Sequence, residues 1–237
     1  MLFEQINDEG WARAYLIVDE DAALAVLVDP VLEFMTRDEE MLKRNGWRLA
    51  CVMNTHTHAD HVSSAVHLAR KYDCPYLMHS STSVPCAGLL VSDLEEHSFG
   101  ALRFRFHHTP GHTSDAMCIE IENKLMTGDF LFNGTNGGGR DDLPTGDLED
   151  HWASLQVLSR FSEGIFICPG HDPPGAPELT LEENRETNPV LISSSFEDYV
   201  RWQRATWEVL GEVSRMKYAL PANLTCELPE QDYFADQ

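Results

Sequence analysis

The chain has 237 residues, enough for one large domain or a domain with a short appendage, and its hydrophobic fraction of 43% is ordinary for a globular protein. No stretch approaches the roughly 20 consecutive apolar residues of a membrane helix, so no membrane partner is expected. A formal net charge of -22 repels a phosphate backbone, which excludes nucleic acid as a partner and makes solubility the first reading of the acidity.

Two β-type runs open the chain, Ala14 to Val18 and Leu24 to Val28, the second stopped by Asp29-Pro30. A helix is predicted from about Thr36 to Asn45, ended by Asn45-Gly46. Ala50 to Met53 reads as a buried strand that delivers His56 and His58 into a loop. Val62, Ala65, Val66 and Ala69 recur at helical spacing and predict a helix from Asp60 to about Tyr72, with Asp60 near its N-terminus. Leu102 to Phe106 alternates as a strand and runs into Thr109-Pro110-Gly111-His112. A hairpin of Ala116 to Ile121 and Lys124 to Met126, turning at Glu122-Asn123, leads to Thr127-Gly128-Asp129. Asp150 to Phe161 reads as helical, and the strand Ile165 to Cys168 is followed by Pro169-Gly170-His171-Asp172. The segment from Leu181 to Met216 is mostly helical and closes one face. It is too short for a second domain and is read as an extension, about 181–237, of a single domain. The alternation implies an α/β protein with mixed sheets covered by helices.

Glu4, Asp8, Glu9 and Asp19 fall within the first twenty residues, against a secretory or transit peptide, and a cytoplasmic prokaryotic protein is expected. Cys51, Cys74, Cys86, Cys118, Cys168 and Cys226 are spread singly with no CxxC pair. Reduced thiols are therefore expected, rather than disulfides or a cysteine zinc site.

The chemistry-bearing pattern is a set of metal-ligand side chains at strand ends. His56, His58, Asp60 and His61 lie within six residues, and His112, Asp129 and His171 each follow a strand-like run. A lone histidine is usually structural, but seven such residues in short turns point jointly to a metal. Imidazoles and carboxylates without thiolate suit zinc, iron or manganese. His67, His79, His97, His107, His108 and His151 lack that placement and are read as structural. His107 and His108 point to opposite faces of their strand, so at most one could face the site.

The H-x-H-x-D-H run, Gly111-His112-Thr113, Thr127-Gly128-Asp129 and Pro169-Gly170-His171-Asp172 resemble the metal-binding motifs of the metallo-β-lactamase superfamily. The resemblance spans nearly the whole chain and implies an αββα sandwich of two mixed sheets flanked by helices. In dinuclear members the residues matching His56, His58 and His112 hold one metal, those matching Asp60, His61 and His171 hold the second, and the Asp129 equivalent bridges. Two branches are relevant. Glyoxalase II enzymes hydrolyse glutathione thioesters with two metals and carry a separate helical domain. Persulfide dioxygenases use a single iron and have a short C-terminal extension. Asp29 to Glu33, Leu181 to Pro189 and Tyr218 to Asn223 resemble the DPVLE, EERxxNP and xVPAN segments of the second branch. Gly139 to Pro144 resembles a GRTDLP loop common to dioxygenases and related hydrolases. Two departures stand out. Asn136-Gly137-Gly138-Gly139 reads as a longer, more flexible loop after Asp129, and Pro173 stands where the dioxygenases commonly place a tyrosine.

The second branch implies one Fe(II) held by His56, His112 and Asp129, which would then be the catalytic centre, with His58, Asp60, His61 and His171 around it. Its reaction takes glutathione persulfide, or a similar low-molecular-weight persulfide, and O2 to sulfite and the free thiol. Arg140 and Arg185 are the candidates for gripping a substrate carboxylate, which guanidinium matches in bidentate fashion. The alternative is a hydroxyacylglutathione hydrolase with two zinc or mixed ions. Dimers are common among relatives, so a homodimer is the assembly the resemblance allows.

Overall fold

The computed structural model describes residues 1–7, 12–213 and 215–229. Strands β1 (Leu2–Gln5), β2 (Tyr15–Asp19), β3 (Leu24–Val28), β4 (Arg48–Met53), β5 (Tyr76–His79) and β6 (Leu89–Val91) form one sheet in chain order. The second sheet runs β12-β11-β10-β9-β8-β7, from β7 (Glu96–Phe99), β8 (Leu102–His108), β9 (Met117–Ile121) and β10 (Lys124–Gly128) to β11 (Phe166–Pro169) and β12 (Leu179–Thr180). Both are mixed. In the first, β1, β2 and β3 pair antiparallel while β3 to β6 pair parallel. In the second, only β10 and β11 are parallel.

Period-two alternation assigns each strand residue to a layer. Tyr15, Ile17, Val26, Val28, Cys51 and Met53 meet Phe104, Phe106, Met117 and Ile119 between the sheets. The alternate residues Leu16, Val18, Leu27 and Val52 pack outward against helices α1 (Met35–Asn45) and α2 (Ala65–Tyr72). On the far side Leu125, Ile167 and Leu181 form the corresponding layer, Leu181 coming from α4 (Leu181–Thr187), and Leu155 and Leu158, which directly follow α3 (Leu148–Ser154), pack onto it. The chain continues through α5 (Pro189–Ile192), α6 (Phe196–Leu210) and α7 (Met216–Thr225). The result is two mixed sheets face to face, flanked by helices. Among the described residues no helix is long and apolar enough to cross a membrane.

Three local expectations change. The helix expected from Asp60 begins only at Ala65. Tertiary partners take the intervening backbone: Leu32 N donates to Val62 O, and Ser63 N donates to Asn223 Oδ1. Asp60 is therefore a loop residue and not a helix-terminal one. The expected helix from Asp150 to Phe161 is α3 followed by a 3-10 turn over Leu155–Arg160. The thiols are not all separate, because Cys86 and Cys226 form a disulfide across 140 residues of sequence. The end of α7 returns to the layer containing α2, where Cys226 is buried beside Cys86. Nothing in the single spacing of the cysteines could reveal that return.

Denatured without reductant, the protein should titrate four thiols, Cys51, Cys74, Cys118 and Cys168, and six after reduction. Six at the outset would refute the bond.

Candidate metal centre

The C-terminal ends of β3, β4, β10 and β11 and the loop after β8 meet at one edge of the sandwich, and every candidate ligand follows one of them. His56, His112 and Asp129 offer ligand atoms within 4.8 Å of one another, and so do His58, Asp60 and His61. The Asp129 carboxylate is central. Its Oδ2 lies 3.4 Å from His112 Nε2, 3.6 Å from His171 Nε2 and 3.9 Å from His56 Nε2. All seven sequence-predicted ligands are thus brought together.

Hydrogen bonds on the far side of each ring decide which atom faces inward. His112 Nδ1 donates to the Arg140 carbonyl at 2.7 Å, leaving Nε2 toward Asp129. His56 Nδ1 lies 3.0 Å from the Thr55 hydroxyl. His58 is turned the other way, with Nε2 on Asp29 Oδ1 at 3.0 Å and Nδ1 inward. Asp29 is the hub of this ligand loop, since it also accepts from Thr55 N and from the Thr55 hydroxyl, each at 2.7 Å. Such outer partners fix tautomer and orientation.

Four buried polar atoms at this point have no hydrogen-bond partner among the described residues: His56 Nε2, His58 Nδ1, His61 Nε2 and Asp129 Oδ1. Buried polar groups are normally paired, so four converging orphans of ligand type fit a bound cation. The backbone makes room for them. A Cβ on Gly170 would come 2.3 Å from Asp129 Oδ1, and one on Gly139 would come 2.6 Å from His112 Nδ1.

The charge states of His56, Asp129 and Asp60 suit ligation. Burial, reinforced by neighbouring His58, pushes His56 well below the ordinary imidazole range, so it is neutral and its lone pair is available. Burial opposes ionisation of Asp129, but His171, His56 and His112 outweigh it and keep the carboxylate low. Burial likewise opposes ionisation of Asp60, and His61 and His171 hold it well below the usual carboxylate range. Burial would also lower His58, but the Asp29 carboxylate raises it.

The remaining predicted residues divide. Arg140 lines the cavity over the centre, alongside Asp60, Phe132 and Leu210. Arg185 does not line that cavity: its Nε donates to Glu163 at 2.9 Å and its Nη2 to the Leu158 carbonyl, so it ties α4 to the chain before β11. The expected flexibility of the loop after Asp129 is corrected. Gly139 N donates to Asp129 O, Asn188 Nδ2 to Gly137 O, and Gln203 Nε2 to Gly139 O. Glycine is required at 137, with φ at 76° and the Trp202 ring 2.1 Å from where a Cβ would stand. The six histidines read as structural fall outside both ligand clusters.

Asn223 was missed as a site residue. Its Nδ2 donates to the carbonyls of His58 and His61 at 2.8 and 2.9 Å, while its Oδ1 takes Ser63 N, so α7 clamps the ligand loop from outside. Asp141 was also missed. It stands at the threonine of the GRTDLP-like loop, buried between His151 Nδ1 at 2.6 Å and the Tyr199 hydroxyl. The resemblance of Tyr218 to Asn223 was the available signal for the first. For the second there was none.

The family described as "Metallo-beta-lactamase superfamily" matches residues 12–171. Among curated relatives, the mitochondrial persulfide dioxygenase ETHE1 of Bos taurus is 30% identical over 95% of this chain and 88% of its own length. The Homo sapiens counterpart is 31% identical over 90% of this chain and 83% of its own length. Among solved structures, ETHE1 from Myxococcus xanthus superposes with a TM-score of 0.86 at 32% identity, covering 95% of this chain and 99% of that one.

Asn223→Ala, which removes three bonds to the ligand loop, should weaken metal retention about 10–100-fold while the far-ultraviolet circular dichroism stays native. Unchanged metal content after dialysis against a chelator would refute the clamp. On the fold, the ligand geometry and these relatives together, the chain belongs to the metallo-β-lactamase superfamily and, within it, to the family of the persulfide dioxygenases.

Proposed function

We propose that the chain is an iron-dependent persulfide dioxygenase, oxidising glutathione persulfide or a similar low-molecular-weight persulfide with O2 to sulfite and free thiol. The observation that carries this reading is the donor set of the inner cluster. Two buried imidazoles and one carboxylate, His56, His112 and Asp129, face one point, and such a set suits Fe(II) with positions left open. Iron bound there would supply a Lewis-acidic, redox-active centre at which a sulfur and dioxygen can react.

The chain's own residues then have definable work. Arg140 O and the Thr55 hydroxyl hold the rings of His112 and His56 in place from behind. Asp60, kept ionised, takes His61 Nδ1 at 3.1 Å, and its Oδ2 lies 3.2 Å from His171 Nε2. The outer donors Asp60 and His171 are thus already engaged with each other, which favours a supporting role over direct ligation. In that role they can receive and pass on protons. The net change takes one persulfide, one O2 and one water to one thiol, one sulfite and two protons. Phe132, Leu210 and Val213 form an apolar wall that limits water at the reacting sulfur.

One observation favours a second reading. His58 Nδ1 and His61 Nε2 are also unpartnered and lie with Asp60 in the second cluster, as a dinuclear thioester hydrolase would require.

Protein made in iron-sufficient medium should carry about one iron per chain and take up oxygen when a low-molecular-weight persulfide is added. Asp129→Ala should abolish both, and His61→Ala should retain the iron. Two zinc ions per chain, with brisk thioester cleavage and no oxygen uptake, would favour the second reading and sink the first.

A further inference from the structure

His112 and Asp129 stand on separate loops, after β8 and after β10, so their spacing is set by whatever spans the two. His151 of α3 does so. Its side chain is fully buried. A Cβ on Gly111, the residue before His112, would overlap the His151 Cβ, so the glycine lets His151 lie against that loop. On its other side, Nε2 donates to the carbonyl of Phe130, the residue after Asp129, at 2.8 Å. Nδ1 donates to Asp141 Oδ1 at 2.6 Å, and Tyr199 of α6 donates its hydroxyl to Oδ2 of the same carboxylate. A carbonyl and a carboxylate only accept. Both ring nitrogens therefore donate, and the ring is an imidazolium paired with Asp141 in the interior.

Asp141 carries this anchor to the ring of His112. The carbonyl that accepts from His112 Nδ1 at 2.7 Å is that of Arg140, and it shares one planar peptide unit with Asp141 N. Fixing Asp141 fixes the direction of that carbonyl. On the other side of Arg140, Gly139 N donates to Asp129 O at 2.7 Å, and Gly139 O accepts from Gln203 Nε2 at 2.9 Å. The acceptor is thus held from both flanks. Asp141 stands where the GRTDLP-like segment has threonine. A threonine has no charge to offset a buried imidazolium, so Asp141 and His151 form a matched pair that departs from that motif.

We propose that Asp141 and His151 are positioning residues of the inner metal centre: together they keep the proton of His112 on Nδ1, aim its Nε2 inward and set its spacing from Asp129. Both act through those two ligands, and His151, read from the sequence as structural, gains a part in the site. The proposal concerns the inner cluster alone, so its test does not depend on which reaction the centre performs.

The test uses the full chain loaded with cobalt(II). The N–H protons of metal-bound imidazoles then give separate, strongly shifted resonances, and the visible absorption reports coordination geometry. His56 is the internal control, because its Nδ1 lies against the Thr55 hydroxyl and outside this network. Asp141→Asn leaves the His151 charge unpaired. It should move the His112 Nδ1–H resonance and speed its exchange with solvent, while the His56 resonance stays in place. Cobalt loss to a chelator should become about 10–100-fold faster. Where Asp141→Asn does not fold, Tyr199→Phe removes one hydroxyl from the same carboxylate. It should give the same His112-specific change, with cobalt loss about threefold faster. A variant that merely melts at lower temperature, with the His112 resonance, the absorption and the rate of cobalt loss unchanged, overturns the proposal. An equal shift of the His56 and His112 resonances, the mark of general loosening, overturns it too.

Discussion

Asp29 ends β3 in a left-handed turn, with φ at 51°, and spends its carboxylate on the ligand loop. Oδ1 takes Thr55 N and His58 Nε2, and Oδ2 takes the Thr55 hydroxyl, which in turn meets His56 Nδ1. One buried carboxylate thereby sets the orientation of two imidazoles that point into a common space. Leaving such a group without its partners would cost several kcal/mol, so the loop can lie buried at the sandwich edge only with Asp29 in place. The neighbouring sheet adds a second brace, since Met117 N donates to Thr55 O and Thr57 Oγ1 donates to Asp115.

The same logic explains why segments remote in sequence converge here. The DPVLE-like stretch supplies Asp29, and also Glu33, which Arg215 meets at 3.0 Å next to α7. The EERxxNP-like stretch supplies Asn184 and Asn188, which hold Asn133, Gly134 and Gly137 of the loop after Asp129. The PAN-like stretch supplies Asn223 against the ligand loop. Asp29, Asn184, Asn188 and Asn223 satisfy loop backbone groups while Glu33 pairs with a guanidinium, and all five stand outside the two ligand clusters. A site whose ligands stand on loops needs these outer supports to keep its geometry.

Behind the loop from Gly137 to Asp142 lies a buried polar network. His151 Nε2 donates to the Phe130 carbonyl, its Nδ1 meets Asp141, and Tyr199 and Gln203 complete the connection to Gly139. Burial favours a neutral His151, but Asp141 and the Phe130 carbonyl raise it above the ordinary imidazole range. Among the described residues only Gln203 Oε1 of this network is left without a partner, and so many bonds rigidify the chain immediately beside Asp129. The run of glycines, which reads as slack in the sequence, is instead a set of close approaches to Trp202, His112 and Asp129.

The sequence by itself determined the strand alternation, the order of the ligand motifs and the clustering of His56, His58, Asp60 and His61. These are local patterns, carried by period-two spacing and by residues that abut the ends of buried strands. Only the tertiary structure decided which side-chain atoms face inward and which potential grips are already occupied. It pairs Arg140 with Asp142, sends Arg185 to Glu163, delays α2 to Ala65 and joins Cys86 to Cys226. Most of those outcomes depend on contacts between distant segments, such as the α7 clamp 165 residues away from His58. Spacing and composition carry no record of such contacts, because each is set by how the packed layers bring remote backbone and side chains within hydrogen-bonding reach.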